Sequence, residues 1–362
     1  YVALHNIRSD DAQLGSSTGD EAGAGPIFDN FNYPLDYWLV NNYWSGHYNL
    51  INLTNNVLAT ADSIDNPSEG TLANIGEMKF LRAWAYFNMV RTFGEVPLVT
   101  FKITDQASAN IPKSSINDIY QQIDADLTDA VAYLPSTWPS HPGRITKGAA
   151  LAVQTKTLMA RKRFSEALAS AMQVINSEVY DLSVPYNMIF REESENSKES
   201  IFEIQALFDG VQNFGVTYAS RQGVRGSGSW DLGWGWNIPH PRLLEAFEAN
   251  DPRKDVTFLY SGQRNEPYGE VLPDNLPRPY WNKKVYTNPT LRTRYGSRFG
   301  DWFNVRLIRY ADVVLLAAEA ANEVGGNANV DLALDLLERV RARARGGNAA
   351  VLPAVTTRDQ VA

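Results

Sequence analysis

Residues 79–99, KFLRAWAYFNMVRTFGEVPLV, carry the pattern that decides the fold. Apolar side chains recur on more than one side of the helix that this stretch predicts, and the largest of them are Phe80, Trp84, Tyr86 and Phe87. Because apolar contact on several sides indicates a helix packed between neighbours, we expect these rings to be core. Gly94 suits a left-handed cap, and Pro97 just after it prevents the helix from resuming.

Helical patterning continues on both sides of this stretch. It starts near Tyr37, and Ser115 predicts the start of another helix that Pro135 ends. Two further helix pairs are predicted, joined at about 161–164 and 325–327, and both carry small residues late in the first helix. Small residues let paired helices approach closely, as in tetratricopeptide repeats. The predicted fold is mainly α, a tetratricopeptide-like helix-turn-helix scaffold with a large loop-rich insertion containing short strands.

The insertion has a different composition from the scaffold. ESIFEIQALF and FGVTYAS predict short strands, and a Gly- and Trp-rich run, GVRGSGSWDLGWGWNIPHP, follows them. Loops this long are usually functional or held down by a neighbouring scaffold. We expect four segments: an N-terminal loop segment (1–40), a tetratricopeptide-like scaffold (41–180), a loop-rich ligand-binding lobe (181–304) and a C-terminal helix pair (305–362).

Composition and charge exclude several classes of function. The net charge of −8 argues against binding to a phosphate backbone, which needs a clustered basic surface. The chain has no cysteine, and its four histidines are not spaced for a metal site, so we predict no metal and no cofactor. It opens on Tyr1 without Met or a signal peptide, which predicts a mature or trimmed form.

Signatures of catalysis are missing from the sequence. It contains no HExxH, GxSxG or Walker A motif. The acidic residues between Glu192 and Glu199 are predicted to form a solvated loop, and Asp231 beside Trp230 is the other acid to consider. Glycoside hydrolysis needs only two acids that the fold brings together, so that chemistry stays open.

Aromatic residues are the candidates for ligand binding. They occur in the Gly-rich loop and in the N-terminal segment, and comprise Trp230, Trp234, Trp236, Phe28, Phe31, Tyr33, Tyr37 and Trp38. Aromatic faces stack on the C–H surface of sugar rings, but the same rings could instead fill gaps between loop and scaffold. For Trp230 and Trp234 the two interpretations are balanced, and for Trp236 packing is favoured. Gly233 and Gly235 are expected to leave the Trp234 indole accessible, with Asp231 and Asn237 suited to bonding hydroxyls.

At this point the sequence resembles the SusD/RagB family, glycan-binding lipoproteins of the Bacteroidetes outer membrane. The residues that carry the resemblance are the stretch 79–99, GRITKGAALA, RFSEALASAMQVINSEVYDL, LLEAFEANDPR and RYADVVLLAAEAANE, in this order across about 40–345. The family's lipid-bearing N-terminal cysteine and its usual terminal helix are missing here, so attachment to the membrane through a lipid anchor is inferred from the resemblance.

The resemblance implies a non-catalytic function. It implies a cell-surface lipoprotein that captures oligosaccharide or polysaccharide and delivers it to a SusC-like TonB-dependent transporter. The positions nearest the family's sugar-contacting rings are Phe31 and Tyr33 before the first repeat helix, and Trp230 and Trp234 upstream of LLEAFE. Among these positions, the resemblance assigns a sugar-contacting role most firmly to Trp234. Two other classes stay open: an all-helical glycoside hydrolase or lyase, and a tetratricopeptide adaptor that binds only protein.

Overall fold

The computed structural model describes residues 2–16, 27–28, 30–34, 36–208 and 211–361. Its α-helices are, in chain order, α1 (Trp38–Ala61), α2 (Glu69–Phe93), α3 (Ile116–Tyr133), α4 (Lys147–Ala160), α5 (Phe164–Ile175), α6 (Tyr218–Gln222), α7 (Pro241–Ala246), α8 (Pro252–Thr257), α9 (Pro289–Tyr295), α10 (Tyr310–Val324) and α11 (Asn327–Arg345). Its strands are β1 (Ala12–Gln13), β2 (Ser200–Ile204), β3 (Leu207–Phe208), β4 (Asn213–Phe214), β5 (Ile238–Pro239), β6 (Phe258–Tyr260), β7 (Arg264–Asn265), β8 (Glu270–Val271), β9 (Tyr280–Asn282) and β10 (Val305–Arg309). The mainly α fold class is confirmed.

The chain divides into two compact units. One comprises residues 1–40, 182–307 and 338–354, and the other comprises residues 41–181, 308–337 and 355–362. No helix in the described part of the chain is both long enough and apolar enough to cross a membrane.

The unit built mainly from residues 41–181 is a helical scaffold. In it α2 packs on α3, α3 on α4, α4 on α5, and α5 on α10. Of the predicted small residues, Ala320 lies where helices meet, since it is buried in one cluster with Leu158 and Ala167. Ala160, at the end of α4, is exposed. The predicted joints are confirmed as well: α4 ends at Ala160 and α5 begins at Phe164, while Gly325 and Gly326 adopt positive φ between α10 and α11.

The opening stretch forms the second half of α2, as predicted. The helix ends at Phe93, and Gly94 follows with φ +74°. Phe80, Tyr86 and Phe87 are buried, so the core prediction is confirmed for them. It was wrong for Trp84, which is only partly buried, because a helix of 25 residues that packs on several partners still leaves one strip of its surface near solvent.

A buried ion pair fixes α2 against α3. Nε of Arg82 donates to Asp126 at 2.8 Å, and a second guanidinium nitrogen donates to the other carboxylate oxygen at 2.7 Å. Arg82 also donates to Asn55 of α1 at 2.8 Å. Both charged side chains are almost inaccessible to water. A bidentate ion pair of this kind fixes the register of one helix against the next.

The other unit consists mainly of short strands, short helices and loops. Its antiparallel pairs join β1 to β5, β3 to β4, β6 to β9, and β7 to β8. The prediction of strand structure in ESIFEIQALF is confirmed by β2 and β3. The prediction of a strand through FGVTYAS was wrong, because only Phe214 is in a strand and α6 begins at Tyr218. Ala219 of α6 packs into a buried cluster with Val285 and Phe303, and this tertiary packing outweighs the local strand preference.

Glu192, Glu195 and Glu199 have structural roles, so the prediction of a solvated loop was wrong for these three acids, whereas Glu193 is exposed. Glu199 is buried and paired with Arg343 at 2.5 Å. Glu192 accepts from the backbone N–H of Asn288 at 2.9 Å. Glu195 accepts from the backbone N–H of Asn304 at 2.8 Å, and burial raises its pKa to about 7. Their partners are far along the chain, so the sequence alone shows only a run of like charges.

Candidate functional site

The Trp-rich loop (230–237) lies against α6 and the residues that follow that helix. The backbone N–H of Trp234 donates to the carbonyl of Ser220 at 2.8 Å, and that of Trp236 donates to Arg221 at 2.9 Å. Between them, Gly235 N–H donates to Gly223 at 2.9 Å. A ladder of backbone hydrogen bonds therefore holds the loop at successive residues, so its side chains are presented from a fixed backbone.

The two glycines beside Trp234 allow this close backbone approach. A Cβ at position 233 would lie 2.3 Å from the carbonyl oxygen of Ser220. Gly235 has φ +67°, and a Cβ there would lie 3.0 Å from the ring of Trp281. The sequence interpretation was that these glycines leave the indole accessible on both flanks. The glycines themselves are buried, and they serve the turn and its packing.

Trp234 nevertheless points to solvent. Its side chain is 41% exposed, whereas Trp236 two residues later is 3% exposed. The guanidinium carbon of Arg225 lies 5.1 Å from the centroid of the Trp234 ring. This distance is within the range of a cation–π contact, which stabilises one orientation of an exposed indole. Trp236 is a packing residue, as favoured from the sequence.

Asp231 is held by two arginines. It pairs with Arg225 at 3.0 Å and with Arg298 at 2.9 Å. Arg225 therefore contacts both Asp231 and Trp234, which joins two of the predicted site residues into one cluster. The carboxylate of Asp231 is engaged in these pairs, so we interpret it as a residue that positions the cluster.

Trp230 and Asn237 line two different clefts. Trp230 is partly buried and lines a cleft of about 600 Å³ with Arg292, Arg298 and Phe299. Asn237 has φ +55° and donates to the side chain of Gln222. It lines a cleft of about 660 Å³ whose other residues include Asp251 and Arg253. The predicted grouping of Asn237 with Trp234 around one ligand therefore stays a prediction.

The N-terminal aromatics form a separate group in the same unit. Phe28 is fully buried and packs on Tyr33, with their ring centroids 5.1 Å apart. Phe31 is 59% exposed with φ +54°, a conformation that bulky residues rarely adopt. The guanidinium of Arg8 lies 5.0 Å from the Phe31 ring and 5.9 Å from the Tyr33 ring.

Strand β1 connects this N-terminal segment to the Trp-rich loop. Ala12 pairs opposite Pro239, and Gln13 pairs opposite Ile238. Gly15 then donates its N–H to the carbonyl of Gly235 at 2.7 Å. The backbone next to Trp234 is thus covered by the N-terminal segment on one side and by α6 on the other.

The arginines were missed by the sequence reasoning. Arg8 and Arg225 lie over predicted aromatic residues, and Arg298 pairs with Asp231 from 67 positions away. The only signal in the sequence is the run LRTRYGSR at 291–298, which places three arginines close together in an acidic chain. Within the described residues, no group of three or more His, Asp or Glu side chains could hold a metal ion.

Comparison with known proteins gives consistent similarities. Residues 27–158 match the family described as "Starch-binding associating with outer membrane", and residues 198–351 match the "SusD family". A SusD-like protein of Formosa agariphila is 29% identical over 365 aligned positions, which cover 96% of this chain and 70% of that protein.

Solved structures share the fold. A laminarin-binding SusD-like protein has a TM-score of 0.81 at 25% identity, covering 98% of this chain and 80% of that one. Surface glycan-binding protein A from Bacteroides thetaiotaomicron, in complex with laminarihexaose, has a TM-score of 0.80 at 20% identity, covering 99% and 79%.

Proposed function

Because the chain belongs to the SusD/RagB family, we propose that it binds oligosaccharide or polysaccharide at the cell surface without catalysis and delivers it to a SusC-like TonB-dependent transporter. The family places such proteins at the outer membrane, and we propose this location for the chain, attached through a lipid anchor. The ligand would be an extended glycan rather than a single sugar, since the exposed rings occur at several positions of one unit.

The observation that carries the proposal is the exposure of Trp234 on a rigid backbone. Trp234 is 41% exposed, and exposing its apolar indole to water is unfavourable. The loop nevertheless holds the ring there, through backbone hydrogen bonds on both sides of the residue. Flat apolar faces of sugar rings are well matched to such a surface, while polar side chains at its edge can bond the sugar hydroxyls. Trp230, Phe31 and Tyr33 are proposed as further contacts, with Asp231 and Asn237 as polar residues at their margins.

Calorimetric titration with a panel of oligosaccharides tests glycan binding. Laminarihexaose is the first probe, because two similar structures are described as bound to or binding laminarin-type glycans. We expect saturable binding to at least one member of the panel. A panel of plant, host and microbial glycans without any binding would overturn the proposal.

Product analysis separates binding from glycoside hydrolysis. Glu195, which is partly buried, and the buried Glu203 are an observation in favour of an enzyme, since burial raises the pKa of Glu195 to about 7. Glu195 is, however, engaged by the backbone of Asn304 and is not part of the lining of either cleft described above. We expect a bound polysaccharide to keep its chain length after prolonged incubation. Shortened chains that disappear with Glu195→Gln would establish the enzyme instead.

Delivery to a transporter is tested by gentle solubilisation of the outer membrane. A capture protein cannot carry its glycan across a membrane alone, so we expect it to co-purify with a transporter through an interface larger than roughly 1,000 Å². Consistent recovery of the protein by itself, under conditions that preserve other membrane complexes, would contradict this part of the proposal. An adaptor for other proteins would instead be recovered with soluble partners.

A further inference from the structure

The cleft beside Trp230 has two arginines in its lining. Its volume is about 600 Å³, and its lining includes the aromatic residues Trp230 and Phe299 and the hydroxyl-bearing residues Ser229, Thr293 and Ser297. Arg292 and Arg298 supply the positive charges, and Glu270 supplies a negative one. A cleft of this size, with apolar faces and convergent polar groups, has the composition of a ligand site.

Arg298 keeps hydrogen-bonding capacity for a ligand. Among the described residues it donates to Asp231 at 2.9 Å and to the carbonyl of Gly228 at 3.2 Å. A guanidinium has five N–H donors, so about three remain for other partners. The Arg298 side chain is also 45% exposed, which leaves these donors accessible from the cleft.

The local charge is positive although the chain is acidic. Asp231 is shared by Arg225 and Arg298, and Glu270 is paired with Arg292 and accepts from the hydroxyl of Tyr286. Among the residues that line the cleft, two arginines face one carboxylate, Glu270, so the lining carries one excess positive charge in a chain whose net charge is −8. Glu270 and Asp231 hold the two guanidiniums in place.

We propose that this cleft binds an anionic substituent of the glycan, a carboxylate or a sulfate, so that the protein selects acidic over neutral polysaccharides. The inference rests on the proposed glycan-binding function and names its substrate class. Guanidinium groups recognise carboxylate and sulfate oxygens through two parallel hydrogen bonds, and the ring of Trp230 would pack on the sugar that carries the substituent. Neutral sugars would leave the excess charge of the cleft without a partner.

Matched pairs of glycans and matched variants test the proposal. The probes are hexagalacturonic acid with its methyl ester, sulfated maltohexaose with maltohexaose, and an array of acidic and neutral glycans from plants, hosts and microbes. The variant is Arg298→Gln, and the control is Arg294→Gln, which removes the same charge from an exposed residue of α9 that is not part of the cleft lining. Arg298→Lys keeps the charge but not the paired donors. Melting curves verify that each variant folds.

We expect the wild type to bind acidic members at least about tenfold more tightly than their neutral counterparts, the difference expected for a hydrogen bond to a charged group. Arg298→Gln should remove most of this preference, Arg298→Lys should retain part of it, and Arg294→Gln should leave it unchanged. Binding of the acidic members should also weaken as salt is added. If Arg298→Gln loses the preference for the acidic member in only one of the two pairs, sulfated or galacturonate, that pair identifies the substituent.

Other outcomes would overturn the inference. Binding confined to neutral glycans would leave glycan binding intact and reject the acidic substrate class. An equal loss in Arg294→Gln and Arg298→Gln would show a general charge effect rather than a site. If Arg298→Gln failed to fold, the salt dependence and Arg298→Lys would serve as the test. A preference for acidic glycans that neither of them changes would count against the site. Absence of binding across the whole array would reject the proposed function together with this inference.

Discussion

The guanidinium carbon of Arg225 lies 5.1 Å from the centroid of the Trp234 ring. The same guanidinium pairs with Asp231 at 3.0 Å, and Asp231 in turn pairs with Arg298. An exposed indole would otherwise sample several rotamers and lose entropy on binding. The contact with Arg225 reduces that loss by holding the ring in one orientation before a ligand arrives.

Replacing Trp234 by Ala should weaken glycan binding at least about tenfold, or 1.4 kcal/mol, because a preorganised aromatic anchor is lost. The melting temperature should change little, since the ring is exposed and the loop is held by backbone bonds. Titration calorimetry and a melting curve measure both quantities. Trp236→Ala is the matched control: this buried indole should lose stability instead, by about 3–5 kcal/mol. Unchanged affinity in Trp234→Ala would place the site elsewhere.

Phe31 offers a second test, because its ring is exposed and its backbone is unfavourable. We expect Phe31→Asn to weaken glycan binding without lowering stability, since Asn tolerates the left-handed conformation at φ +54° better than Phe does. The control is Phe28→Ala, which removes a fully buried ring three residues earlier and should cost about 3–5 kcal/mol. A large loss of stability in Phe31→Asn, measured by urea denaturation, would show that the ring packs rather than binds.

Helix α2 provides a test of the scaffold. Phe80→Ala should destabilise the protein by about 3–5 kcal/mol, because it empties a fully buried site. Trp84→Ala should cost less although it removes a larger ring, because Trp84 is only partly buried. Chemical denaturation of the two variants gives the comparison. An equal or greater loss for Trp84 would mean that its apolar contacts, rather than its exposure, determine its contribution.

Local signals in the sequence predicted the scaffold well. Gly94 and Ser115 mark helix ends by their own backbone and capping chemistry, and both act where they were expected to act. The contacts that assemble the candidate site are not local. Arg298 reaches Asp231 across 67 positions, and Gly233 is needed because the carbonyl of Ser220 lies behind it. Spacing along a chain does not encode such approaches, so the aromatic candidates were readable from the sequence and the pairing of Arg298 with Asp231 was not.

Glu195 should make the protein less stable as the pH rises, whereas most paired carboxylates make a protein more stable as the pH rises. Burial raises its pKa from 4.5 to about 7. Between these values the folded protein keeps a proton that the unfolded chain has lost, so stability falls as the pH rises through this window and levels off above it. One pKa unit corresponds to about 1.4 kcal/mol, so the effect of this group is at most about 3.5 kcal/mol.

Glu195→Gln isolates this contribution, because Gln stays neutral and its side-chain oxygen can still accept the N–H of Asn304. We expect the free energy of unfolding of the wild type to fall from pH 5 to pH 8 relative to that of the variant. The variant should therefore be the more stable of the two only at the higher pH. Urea denaturation at both pH values measures the difference, and Glu193→Gln, at an exposed neighbouring acid, is the control. Parallel pH profiles for wild type and Glu195→Gln would mean that Glu195 is ionised in the folded protein across this range, stabilised by the hydrogen bond from the Asn304 backbone and by the nearby Arg306 guanidinium, which both oppose the effect of burial.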